Sequence, residues 1–162
     1  MKDSSQVAEE EAPMVSTARL RVRYAETDQM GVVYYANYLI WFEIGRVELL
    51  RQLGFDYKQM EIEDDCWIPV VEANCRYKAP ARYDDELVVE TEVAAMRSSV
   101  IKFRYRVVRA VDRQLLAEGE STHVVTDSKM QKRPLPEKYA ASLARCLRAS
   151  AGGFRESPAA MP

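Results

Sequence analysis

The sequence predicts an α+β domain: one long apolar helix near the N-terminus, then a run of antiparallel strands, then a short closing helix. Three observations carry this prediction. Residues 17–24 and four later segments alternate apolar and polar side chains, the period of two of a half-buried strand. Residues 34–54 instead place apolar side chains at three- and four-residue steps and on nearly every face. The polar clusters at 78–85, 97–99 and 112–114 are plausible turns between the later strands, and strands in a run with one segregated helix make an α+β fold.

Taken in order, the first strand spans Thr17 to Tyr24. Ala18, Leu20, Val22 and Tyr24 share one face, and Arg19, Arg21 and Arg23 the other. A polar turn, AETDQMGVV, leads into the helix of residues 34–54. Leu39, Phe42, Arg46, Leu49, Leu50 and Leu53 keep helical spacing, while Trp41, Ile44 and Val47 make other faces apolar too, so the helix is expected to be buried. Gly54 stands where a capping glycine belongs. After a loop through EIEDDC, strands are expected over 67–78, with Val71, Ala73, Cys75 and Tyr77 on one face, and over 86–96, with Leu87, Val89, Thr91 and Val93. Two more follow over 100–108, with Ile101, Phe103, Tyr105 and Val107 facing together, and over 115–126. A short helix starts near Pro136 and runs to about Arg148. One sheet cannot cover all the apolar surface of such a helix, so self-association as a homodimer at least is expected, with the sheet extended across two copies.

The bulk numbers fit one domain in 162 residues. Residues 1–16 read as a disordered tail, 17–149 as the domain, and 150–162 as a flexible tail. A net charge of −2 gives no basic field for nucleic acid. No apolar run approaches the ~20 residues of a transmembrane helix. The start, MKDSSQVAEEEAP, lacks the basic and apolar regions of a signal peptide. Cys66, Cys75 and Cys146 form no CxxC pair and read as reduced thiols of a cytoplasmic protein, with no metal role.

The turn before the helix is where chemistry is expected. Asp28 lies between a strand and a buried helix, and Gly31 permits a tight turn there. The N–H groups of a helix start can receive a developing oxyanion, and a carboxylate beside them can act as nucleophile or general base. By spacing alone, a turn or capping role for Asp28 is favoured over a catalytic one. His123, the single histidine, lies in a strand-like run and is expected to be packed and hydrogen-bonded. Tyr38 and Trp41 are expected in the core or in a dimer contact.

The string RYAETDQMGVVYYANYLIWFEIGR, residues 23–46, resembles the signature of the 4-hydroxybenzoyl-CoA thioesterase-like branch of the hotdog-fold superfamily. It looks most like acyl-CoA thioesterases of the YbgC type, associated with the Tol-Pal gene cluster. Residues 76–86, RYKAPARYDDE, and 132–136, KRPLP, continue the likeness, which spans roughly Arg19 to Arg148. The resemblance implies a curved antiparallel five-stranded sheet wrapped around one long helix, assembled as dimers or tetramers with a substrate crease between subunits. It implies hydrolysis of an acyl-CoA thioester without a cofactor. The catalytic aspartate falls on Asp28, and the backbone N–H that polarises the thioester carbonyl falls on Tyr35 at the helix start. Gly31, Asn37 and Glu43 fall on supporting positions. YbgC-type relatives often carry His where this chain has Tyr35, whereas aromatic-acyl members place Tyr there. Arg97 matches a region near the CoA nucleotide, and Lys78, Arg82 and Lys102 are looser candidates for CoA phosphates. Three alternatives stay open: a hydratase on the same fold, disfavoured because residues 25–54 hold no His; a non-catalytic acyl-CoA-binding protein; and a hydrolase of acyl carrier protein thioesters.

Overall fold

The structure, a computed structural model, describes residues 15–149. Its elements are β1 (Ser16–Arg21), a single 3-10 turn (Tyr24–Glu26), α1 (Asn37–Gln52), α2 (Tyr57–Glu63), β2 (Val70–Tyr77), β3 (Glu86–Arg97), β4 (Val100–Arg109), β5 (Leu115–Val124) and α3 (Glu137–Ala149). All five strands join one antiparallel sheet in the order β1-β3-β4-β5-β2. The order puts β1 and β2 at the two edges. Helix α1 touches β1, β2, β3 and β4, so the sheet wraps around it. The expected tails lie outside the described residues, except that Ser16 already belongs to β1.

The core forms where the alternating strand faces meet α1. On β4, Ile101, Phe103, Tyr105 and Val107 are buried, and on α1 Tyr38, Trp41, Phe42, Leu49 and Leu50 face them. Each such large apolar side chain contributes about 1.5–3 kcal/mol on burial. The Phe42 ring lies flat on Tyr105, with centroids 4.4 Å apart and planes at 6°. Two glycines permit this closeness. A Cβ on Gly45 would run into Thr91 Oγ1 and come within 2.7 Å of Val89 Cγ1, and one on Gly119 would strike the Asn74 carbonyl and the Phe42 ring.

Helix α1 ends as expected. Gly54 takes φ +83°, its N–H bonds the Arg51 carbonyl and the Phe55 N–H bonds the Leu50 carbonyl, the double bond of a Schellman cap. Its start differs from the expectation: residues 34–36 form a turn and the helix begins at Asn37. Nor is α1 buried on every side, since Leu39, Ile40 and Ile44 are exposed. The first strand stops at Arg21 rather than Tyr24, because the chain turns into the 3-10 segment and leaves Tyr24 77% exposed. Helix α2 is an element the alternation and spacing did not reveal. It is short, buries only Met60, and is capped by Asp56, whose side chain accepts the Lys58 N–H at 2.8 Å. The last strand ends at Val124, and Thr126 forms only isolated bridges, to Trp67 and Lys132.

Candidate active site

Residues 26–37 fold into a small looped structure that hands the chain from β1 to α1. Thr27 and Val33 form an isolated antiparallel bridge, and the Asp28 N–H bonds the Val32 carbonyl at 2.9 Å. The Gly31 N–H closes the turn on the Asp28 carbonyl at 3.0 Å, with Gly31 at φ +75°, a conformation a Cβ would strain. Inside that turn Asp28 Oδ1 accepts the Met30 N–H at 2.8 Å. The carboxylate is thereby aimed by its own loop, while Oδ2 has no hydrogen-bond partner among the described residues.

Beyond the bridge the chain is pinned to its surroundings. The Val33 N–H bonds the Ala81 carbonyl at 2.9 Å. The Glu26 carbonyl accepts both the Tyr34 N–H, at 2.8 Å, and Asn37 Nδ2–H, at 2.9 Å. The Asn37 N–H in turn bonds the Tyr34 carbonyl at 3.0 Å. Between these tied residues the Tyr35 N–H has no partner among the described residues. It stands one residue ahead of the helix N-cap, Ala36. Proximity to that helix end still favours negative charge there.

Asp28 and Tyr35 line one cavity of about 340 Å³, together with Val32, Val33, Tyr38 and Tyr77. Lys78 and Pro80 border it too. The walls are mostly apolar and aromatic. Tyr38 packs against Trp41 and, edge-on, against Tyr77, with centroids 4.8 and 5.1 Å away. The Tyr38 hydroxyl accepts the Ala81 N–H at 3.2 Å, and the Tyr77 hydroxyl donates to the Tyr35 carbonyl at 2.9 Å. Burial raises the Tyr38 phenol above its ordinary range. Burial, with the neighbouring Cys75, Tyr38 and Tyr35, pushes Tyr77 up to about 12. Both phenols therefore keep their protons at neutral pH.

Glu26 is a part of this site that spacing did not single out. Its carboxylate is only 7% exposed. It accepts the Arg23 N–H at 2.7 Å, the Trp41 indole N–H at 3.2 Å and the Arg23 guanidinium at 3.3 Å. Burial alone would raise its pKa, but the bonds from Arg23 and Trp41 outweigh that and hold it below the usual value.

Of the candidate residues, the structure brings together Asp28, Tyr35 and Lys78 at the cavity, with Gly31 and Asn37 in its supporting loop. Glu43 is exposed on α1, away from the cavity lining, so within a single chain it is not a buried group. Arg97 ends β3, exposed in the turn to β4. Arg82 is exposed near Pro80, and its N–H bonds Asp85 at 2.9 Å. Lys102 shares the outer sheet face with Arg104 and pairs with Glu120 at 3.4 Å. That outer face carries a larger groove, about 630 Å³, walled by Arg76, Arg104, Arg106, Glu118 and Glu120. Arg104 there bonds Glu92 and Glu120 at 3.0 and 3.1 Å. A groove of paired charges suits water rather than an acyl chain, and it holds neither Asp28 nor Tyr35.

His123 lies outside the cavity, fully buried, as the expected packed and hydrogen-bonded side chain. The three cysteines are free, two of them buried. No helix among the described residues is long and apolar enough to cross a membrane.

The chain resembles known proteins in sequence and in fold. The family model of the thioesterase-like superfamily matches residues 22–143. A putative acyl-CoA thioesterase, YneP, of Bacillus subtilis (strain 168) is 39% identical over 118 residues, covering 73% of this chain and 84% of that protein. The acyl-CoA thioester hydrolase YbgC of Escherichia coli O6:H1 is 38% identical over 123 residues, covering 75% of this chain and 90% of its own. Among solved structures, the DHNA-CoA thioesterase of Staphylococcus aureus superposes with a TM-score of 0.80 at 26% identity, over 87% of this chain and 96% of that one. The wrapped sheet and central helix are thus the hotdog architecture that the resemblance implied.

Proposed function

The chain belongs to the thioesterase-like superfamily, and from that premise we propose that this enzyme, an acyl-CoA thioesterase, works through Asp28 and an oxyanion site at the Tyr35 N–H. One observation carries the reading: among the described residues, a carboxylate with a free oxygen and a backbone N–H without a partner line the same cavity. The thioester carbonyl oxygen sits on the Tyr35 N–H, and its carbon faces Asp28 Oδ2. As the carbon becomes tetrahedral, charge collects on the oxygen and the N–H stabilises it. Asp28 acts in one of two ways. As nucleophile, its oxygen bonds the carbonyl carbon, the C–S bond breaks, the CoA thiolate takes a proton from solvent, and water then hydrolyses the mixed anhydride. As general base, it takes a proton from water as the water oxygen bonds the carbonyl carbon; the C–S bond then breaks, the free acid forms, and the CoA thiolate takes up a proton. Met30, Val32, Val33, Pro80 and the tyrosine rings exclude water and so strengthen these interactions.

The test is release of free thiol from a panel of short, long and aromatic acyl-CoA esters, read with a thiol reagent. Turnover on at least one class supports the reading, and tight binding with no turnover on any class overturns it. A single turnover in ¹⁸O-water, followed by mass analysis of the Asp28 peptide, separates the two roles. Label in the carboxylate identifies the nucleophile.

The same reading includes a second copy of the chain. Among the described residues strand β2 bonds only β5, which leaves its other edge open there, and Val70 and Val71 on it are exposed. Leu39, Ile40 and Ile44 of α1 are exposed as well. An open strand edge with apolar side chains is the surface on which a dimer extends its sheet.

A further inference from the structure

The Tyr35 N–H is useful to an oxyanion only if its peptide is held still, and a turn ahead of a helix has no helical ladder to hold it. Two residues outside the proposed chemistry grip this segment from opposite sides. On one side is Glu26. Its carbonyl takes the N–H of Tyr34 and the side chain of Asn37, at 2.8 and 2.9 Å, and so brackets Tyr35. Its buried carboxylate is anchored in turn by the indole of Trp41, itself 1% exposed in the core, and by the Arg23 N–H. On the other side is Tyr77, reaching from β2. Its hydroxyl donates to the Tyr35 carbonyl at 2.9 Å, and its ring stands edge-on to Tyr38 at 85°.

We propose that Glu26 and Tyr77 are positioning residues that together fix the Tyr35 backbone for the oxyanion. This rests on the reading of Asp28 and Tyr35 given above. Neither residue is a catalytic group by that reading. Glu26 is absent from the cavity lining and both its oxygens are occupied by donors. The Tyr77 proton is already given to a backbone carbonyl. What the pair supplies is rigidity at the Tyr35 peptide, and a misplacement on the order of 1 Å in such a site costs roughly a hundred-fold in rate. Tyr77 also ties the site to β2, the edge strand, so an element outside the α1 loop helps to set the geometry there.

The experiment compares wild type, Asp28→Asn, Tyr77→Phe and Glu26→Gln in steady-state hydrolysis of the best acyl-CoA, with thermal melting of each. Tyr77→Phe keeps the ring and removes only the hydroxyl. It is expected to lower kcat about ten-fold or more, with KM within about two-fold of wild type and an unchanged melting midpoint, the pattern of an interaction felt only in the transition state. Glu26→Gln replaces one of two accepting oxygens with an NH2 that faces donors either way, the Arg23 N–H on one side or the Trp41 indole and the Arg23 guanidinium on the other, and is expected to lower kcat likewise, with some loss of stability. An unchanged kcat for Tyr77→Phe in an enzyme that Asp28→Asn disables overturns the positioning role alone. A raised KM with unchanged kcat also overturns it, since that pattern marks a substrate contact. A wild type that releases no thiol, or an Asp28→Asn variant at wild-type rate, overturns the underlying reading and this proposal with it.

Discussion

Acidification to about pH 4.5 is expected to cost this fold roughly 2.5 kcal/mol through His123 alone. The ring is fully buried on β5. Its Nδ1 lies 2.9 Å from the Ile68 carbonyl, which can only accept, so Nδ1 carries the proton. Nε2 then accepts the Ser121 hydroxyl at 2.8 Å, Ser121 accepts from Tyr105 at 2.6 Å, and Tyr105 accepts from the buried Arg46 at 3.3 Å. Every donor in this chain points the same way, and a second proton on His123 would leave two donors facing each other. Burial pulls the pKa from 6.5 to about 4, and the Arg46 charge adds to it against the opposing bond to Ile68. The sign follows from the two states. Below about 6.5 the unfolded chain takes up a proton that the folded chain refuses until about 4. Stability from this group is therefore complete above the unfolded value, falls as the pH drops between the two, and levels off below the folded value. At about 1.36 kcal/mol for each pKa unit, the whole gap corresponds to about 3 kcal/mol. The lowered Glu26 adds its own loss only as the pH falls further, and Glu92, raised by burial, works in the opposite sense. The assay is urea unfolding at fixed protein concentration across this range for wild type and His123→Gln, because the difference in slope cancels the carboxylates. A variant whose stability falls with pH as steeply as wild type would show that His123 does not carry this loss.

Gly119→Ala should destabilise the fold by about 1–3 kcal/mol in chemical denaturation, because the new methyl meets the Asn74 carbonyl and the Phe42 ring with no flexible side chain to yield. Lys78→Ala should raise KM for acyl-CoA a few-fold, an effect that added salt erases, because Lys78 borders the cavity; Lys102→Ala, on the outer face, should leave KM unchanged. Ile44→Glu, on the exposed apolar face of α1, should shift the proposed dimer toward monomer in light scattering and lower activity with it, whereas an unchanged mass would show that this face is not the contact.

The strands were legible because alternation is a local signal. The apolar face read for 100–108 is the buried face of β4, and the one read for 86–96 is buried as well, although β3 is buried on both faces from Leu87 to Val93. The start of α1 was not legible. Tyr34, Tyr35 and Ala36 continue the apolar run, but the Glu26 carbonyl captures the Tyr34 N–H and holds the chain in a turn. Tyr24 continued the alternation of β1 on paper, yet the 3-10 turn swings it into solvent. Helix α2 buries one apolar side chain, too few to make a period. In the site, Asp28 stood out through the resemblance carried by residues 23–46, since its spacing alone reads as a turn or cap, and the structure adds the local loop that aims it, from its own N–H to Gly31. Glu26 and Tyr77 did not, because their roles rest on contacts to Trp41 and Tyr35, 15 and 42 residues away along the chain. Lys102 has the same parity as Arg104 and Arg106, which places it on the outer face with their ion pairs.

The proposed hydrolysis depends above all on Asp28. Its most direct test is the rate of thiol release by Asp28→Asn on the acyl-CoA that wild type cleaves best, with folding checked by circular dichroism. The substitution keeps the loop's acceptor for the Met30 N–H and removes the charged oxygen, so kcat should fall by roughly a hundred-fold or more while the fold persists. A folded Asp28→Asn protein that releases thiol at the wild-type rate would contradict it.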